Sequence, residues 1–171
     1  MIRVRPSEVT AALLERAALA DGESARACLY AILDGARDKR IATLRRTLGE
    51  RVESLYDGEQ GRDLAPFGPF LVELQPGSKA IGALVDAGWG LSWMVFLNTP
   101  SLFDELRRHL RRFLVVRMPD QRIAYFRYYD PRVLRSFLPS CTQEELQDFM
   151  GPIRAFLVES ASGDELLEFA I

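Results

Sequence analysis

The 171-residue chain has one histidine and two cysteines, and these shortages exclude much chemistry. A zinc site built from several imidazoles has no ligands, and a Ser-His-Asp triad would have to use His109. Cys28 and Cys141 are far apart and lack a C-x-x-C spacing, which rules out zinc ribbons and thioredoxin-like redox centres. Two free thiols without a signal peptide suit a reducing compartment, so a cytoplasmic location is expected. No run approaches the roughly 20 apolar residues of a membrane-spanning helix, so no membrane partner is expected. The net charge of −2 gives the whole molecule no electrostatic footprint for nucleic acid.

What remains is a globular balance of 48% hydrophobic and 27% charged residues, enough at this length to bury a core without a metal or disulfide. Ser7 can cap a first helix, with Val9, Leu13 and Leu14 at helical spacing until Asp21-Gly22 ends the pattern. Strands are predicted over residues 27–33, at 53–56 before a turn at Asp57-Gly58, over 70–74 and over 92–97. Helices are predicted over 39–48 and 79–87. Thr99 before Pro100 reads as the N-cap of a helix carrying Leu102, Leu106 and Leu110. A hairpin joins 113–117 to 122–128 through Met118-Pro119-Asp120-Gln121. Asp130 before Pro131 caps a helix with Leu134 and Phe137, and Thr142-x-x-Glu145 is a capping box for the next. An apolar segment over 153–158 and an acidic tail from Ser160 complete the chain.

The expected fold is α/β (α+β): a mixed β-sheet with one antiparallel hairpin, flanked by helices, with a small helical C-terminal part. One domain spans 1–171, with 1–128 as the α/β lobe and 129–171 as the short helical part and acidic tail.

Charge is uneven. Residues 107–135 hold nine arginines and two aspartates, whereas seven acids and one arginine follow from 138 onward. The arginine block suits a partner surface or a salt-bridge network to the acidic tail better than an RNA surface, because one face of its strands packs inward. His109, among four arginines near a helix end, reads as a solvated helix residue. Gly88-Trp89-Gly90 precedes a strand and lacks the third glycine of a dinucleotide fingerprint. Asp34, Asp57 and Asp63 lie in or near glycine-containing turns. No nucleophile, base and orienting group belong together, so no catalytic residue, metal ligand or cofactor is assigned.

Six segments in order carry a resemblance. They are Leu29-Tyr30-Ala31-Ile32-Leu33-Asp34-Gly35-Ala36-Arg37-Asp38, Glu53-Ser54-Leu55-Tyr56-Asp57-Gly58, Pro69-Phe70-Leu71-Val72-Glu73-Leu74, and Gly88-Trp89-Gly90-Leu91-Ser92-Trp93. Then come Leu106-Arg107-Arg108-His109-Leu110-Arg111-Arg112-Phe113, and Phe126-Arg127-Tyr128-Tyr129-Asp130-Pro131-Arg132-Val133-Leu134 with Phe137-Leu138-Pro139 behind it. Together they resemble the effector chaperone/adaptor domain of bacterial type VI secretion systems, over roughly 27–159. The resemblance implies a non-enzymatic cytoplasmic adaptor that binds a toxic effector and helps load it on the spike protein at the tip of the secretion tube. On this reading Tyr56, Trp89, Trp93, Arg132 and Arg135 line or flank a groove that receives an effector segment, while Thr99, Asp130 and Thr142 serve as caps. Two alternatives are a small α/β enzyme taking an acidic substrate through the arginine cluster, and an RNA-binding module.

Overall fold

The computed structural model describes residues 6–18, 28–56, 62–118 and 120–170. In chain order the elements are α1 (Pro6–Ala18), β1 (Cys28–Leu33), α2 (Lys39–Thr47), β2 (Val52–Ser54), β3 (Phe70–Leu74), α3 (Ala80–Gly88) and β4 (Met94–Thr99). They continue with α4 (Phe103–Arg111), β5 (Val115–Arg117), β6 (Ile123–Tyr125), α5 (Pro131–Phe137), α6 (Gln143–Met150), β7 (Ala155–Glu159) and β8 (Leu166–Ala170). The predicted end of the first helix at Asp21-Gly22 and the turn at Asp57-Gly58 lie outside the described residues.

Six strands form one sheet in the order β2-β3-β1-β4-β7-β8, and β5 pairs with β6 separately. The expected combination of sheet, hairpin and flanking helices is observed. One detail of it changes: every strand pair among the described residues is antiparallel. The reason is topological. β3 and β4 both run antiparallel to β1, hence parallel to each other, with α3 connecting them as in a βαβ unit. β1 is inserted between them, so the parallel pair never shares hydrogen bonds.

Period-2 alternation divides the core between the two faces of the sheet. Leu29, Ala31 and Leu33 of β1 pack with Val9 and Leu13 of α1, Ile41 of α2 and Ile81, Leu84 and Val85 of α3. Tyr30 and Ile32 face the other way, onto Phe103, Leu106 and Leu110 of α4, Leu134 of α5 and Phe149 and Met150 of α6. Helices on both sides make β1 apolar at every position, and each such Leu or Ile contributes about 1.5–3 kcal/mol by leaving water.

Asp130 accepts the Arg132 N–H at 3.0 Å at the start of α5, and Thr142 and Glu145 form a reciprocal capping box on α6. Thr99 is not a cap. Register with β1 pairs Cys28 with Thr99 and so carries β4 two residues past its predicted end. The Thr99 hydroxyl donates to the Pro152 carbonyl at 2.7 Å and accepts from the Ser101 N–H at 3.1 Å, while α4 starts after Leu102. After α5 and α6, the apolar segment predicted over 153–158 forms β7 and the expected acidic tail forms β8, so the C-terminal part expected to be helical instead completes the sheet of the first lobe.

Candidate functional site

Three carboxylates, Asp34, Asp130 and Glu159, are buried. They gather where β1 and β7 end, where the loop before β4 begins its strand, and where the chain enters α5. Asp34 directly follows the apolar β1. Its N–H donates to the Trp93 carbonyl at 2.8 Å, and its side chain takes a hydrogen bond from the Arg127 guanidinium. The chain passes close by at Gly35, where a Cβ would lie 2.5 Å from the Phe67 carbonyl oxygen.

Glu159 closes β7. Its carboxylate accepts from the Gly90 N–H at 2.6 Å, the Ser92 N–H at 2.8 Å and the Ser92 hydroxyl at 3.0 Å, fixing the loop in which Ser92 has a positive φ of 57°. The Glu159 carbonyl accepts from Arg135 at 2.7 Å. Asp130 receives three hydrogen bonds from Arg132: the backbone N–H, Nε at 2.9 Å and Nη2 at 2.6 Å.

Electrostatics follow from these contacts. Burial pushes the Asp130 carboxyl upward, but the Arg132 guanidinium and backbone N–H outweigh it and hold the group below its usual range. Burial opposes the charge on Arg127, and the bond to Asp34 more than restores it. Burial, followed by the Tyr56 hydroxyl 3.5 Å away, raises the Tyr129 phenol, which stays neutral. Asp130 and Arg127 are thereby held in their charged forms and Tyr129 in its neutral form. Each buried carboxylate already accepts hydrogen bonds, and each holds a loop or an arginine. Among the described residues no group of three or more His, Cys, Asp or Glu is placed to hold a metal ion.

The five residues expected at a partner surface are distributed around this cluster. Arg132 is exposed on one side beyond its bonds to Asp130, beside an open groove of about 590 Å³ lined by Asp130, Val133, Ser136, Phe137 and Ser140. Arg135 is half-buried and reaches Glu159. Tyr56 touches Tyr129 and stands edge-on to Tyr125, with centroids 6.0 Å apart. Trp89 is half-buried, its indole N–H donating to the Gly163 carbonyl at 2.8 Å. Trp93 is buried, with the Arg40 guanidinium 4.7 Å above its ring, so only its carbonyl reaches the cluster.

Sequence reasoning missed the parts played by Asp34, Arg127, Tyr129 and Glu159. The available signal was a carboxylate ending an uninterrupted apolar strand, which occurs after Leu33 and after Val158. Such a position is buried by its neighbours and needs a partner. His109 also differs from expectation. It is half-buried, with Nε2 2.8 Å from the Phe149 carbonyl and the ring edge-on to Phe113. Gly151, at φ 50°, leaves the ring room, since a Cβ there would lie 2.3 Å from His Cε1. Burial lowers the imidazole pKa, against the pull of the Phe149 carbonyl.

The family model described as a domain of unknown function (DUF4123) matches residues 29–148. The chain belongs to this family. DUF4123 is associated with type VI secretion effectors. The match includes Asp34, Arg127, Asp130 and all five expected partner residues, and it ends before Glu159 and the last two strands of the sheet. No curated protein and no solved structure matches the chain. Among the described residues of this DUF4123 member, no helix is long and apolar enough to cross a membrane.

Proposed function

We propose that this protein is a non-enzymatic cytoplasmic adaptor that binds one type VI secretion effector and helps load it on the spike protein. The observation that carries this reading is the DUF4123 match over most of the chain, in a family associated with those effectors. The cluster supports it. Arg132 and Arg127 are held by buried carboxylates yet keep close to half of each side chain exposed. A guanidinium fixed in this way loses little freedom on binding, which favours arginine as an interface anchor. Arg132, Arg135 and Tyr56 contribute contacts in this proposal. Trp89 and Trp93 hold the loop behind them.

The test is co-expression with the proteins encoded beside it, followed by affinity purification and mass spectrometry. The expected result is a stoichiometric complex with a toxin-like neighbour, loss of that neighbour's solubility without the adaptor, and weakened recovery with Arg132→Glu. If neither a toxin-like protein nor a spike protein is recovered or stabilised, the proposal fails.

A further inference from the structure

The hairpin of β5 and β6 departs from the burial pattern of the sheet. The Met118 N–H donates to the Arg122 carbonyl at 2.8 Å, and the Phe126 N–H to the Leu114 carbonyl at 2.9 Å. Ladder alternation then makes Val116 and Ala124 the bonded pair between them, and leaves Val115 with Tyr125 and Arg117 with Ile123 as non-bonded pairs. Residues of non-bonded pairs aim their backbone N–H and C=O groups at the outer edges of the ribbon, and their side chains share one face. Val115, Ile123 and Tyr125 on that face are 46%, 68% and 55% exposed. The opposite face anchors the ribbon at its base, where Leu114 is buried and Phe126 packs on Phe137 with centroids 4.6 Å apart, while Val116 and Met118 farther along that face are exposed.

We propose that this hairpin binds, along an outer edge and beside its exposed face, an extended segment of a protein partner in which apolar side chains alternate with aspartate or glutamate. This deepens the adaptor reading by giving the chemistry of the effector segment it would hold. Extension follows from the ribbon's outer backbone groups, which have no backbone partner among the described residues. Apolar alternation matches the spacing of Val115, Ile123 and Tyr125 along the pleat.

Acidity follows from charge. Residues 107–127 hold seven arginines and one aspartate, and the balance stays positive after Glu53, Asp148 and Asp34 have paired with Arg107, Arg112 and Arg127. The chain's own acidic stretch is already committed elsewhere. Glu159 is buried, Asp164 and Glu165 sit in the β7–β8 turn, and Glu168 is in β8 bonded to Arg16. These C-terminal acids are therefore not the occupant, and the proposal takes the segment from another molecule. RNA fits less well, because the face offers a single ring, Tyr125, already engaged by Tyr56.

The full chain is titrated with a fluorescein-labelled peptide alternating Val or Ile with Asp or Glu, and with the same peptide carrying Lys at the charged positions. The acidic peptide is expected to bind and the lysine version to bind at least tenfold more weakly. Ile123→Asp and Arg117→Glu should each weaken the acidic peptide at least tenfold with unchanged thermal unfolding, since both positions are exposed. No acidic-peptide binding, equal binding of both peptides, or no loss with either variant overturns the proposal. So does preferential binding of a single-stranded RNA oligonucleotide, or concentration-dependent dimerisation abolished by Ile123→Asp. Co-purification separates the two levels. An effector recovered equally by wild type and Ile123→Asp removes the hairpin and leaves the adaptor. Peptide binding with the stated losses but no effector recovered removes the adaptor and leaves the hairpin.

Discussion

β1 and β6 draw on the same residue types and meet opposite fates. Leu29, Tyr30, Ala31, Ile32 and Leu33 are at most 1% exposed, whereas Ile123 and Tyr125 face water. What differs is cover. β1 lies between two strands with helices on both faces, and β6 has one neighbour and one anchored face. Apolar content therefore reports where a strand could be buried, and the packing of other elements decides whether it is. In β1 such residues hold the fold together. In the hairpin they stay exposed.

The largest test of this contrast removes a residue from the covered side. Phe149 contacts Phe113, Phe126, Tyr128, Phe137 and Phe156, so Phe149→Ala should cost about 3–5 kcal/mol in chemical denaturation. A loss under about 1 kcal/mol would contradict its central place. Next, Arg127→Met strands the buried Asp34 carboxylate. Removing one partner of a fully buried pair costs about 3–5 kcal/mol, and the partial exposure of Arg127 brings the expected loss to about 2 kcal/mol.

Thr142→Ala removes half of the capping box and should lower stability by about 1 kcal/mol, read from the urea midpoint. For His109 the folded pKa lies below the unfolded value, so the unfolded chain binds more protons between the two. The contribution is complete above about pH 6.5 and is lost as pH falls through the folded pKa. Relative to His109→Gln, the wild type should lose stability on acidification from neutral pH, and its imidazole resonance should titrate below 6.5. The smallest effect belongs to the hairpin: Ile123→Ser should change stability by less than about 0.5 kcal/mol. A larger loss would mean that the exposed face supports the fold.

Much of the architecture was legible in local pattern. Asp130-Pro131 and Thr142-x-x-Glu145 mark helix starts because a cap requires nothing beyond a few residues. Thr99 has the same local signature and misleads, since pairing with β1, seventy residues earlier, decides where β4 stops. Strand direction was hidden for a similar reason. The β3–α3–β4 alternation is visible in the sequence, but the insertion of β1 between its strands is not. At the site, Arg132, Arg135 and Tyr56 could be nominated by residue type and resemblance. Asp34 and Glu159 carried only the signal of a carboxylate ending an apolar strand, and the groups they hold, 93 and 67 residues distant, had no local signature.

The position of β7 bears on how the protein should be divided in the laboratory. The family match ends at residue 148, yet β7 lies between β4 and β8 and pairs with Phe96, Leu97 and Asn98. A fragment cut at that boundary would turn β4 from an interior strand into an open, apolar edge, the kind of surface on which chains stick to one another. It would also strip Gly90 and Ser92 of the Glu159 carboxylate that holds their loop. In this chain the matched span is shorter than the span that forms the sheet, and expression boundaries are better drawn to include β8.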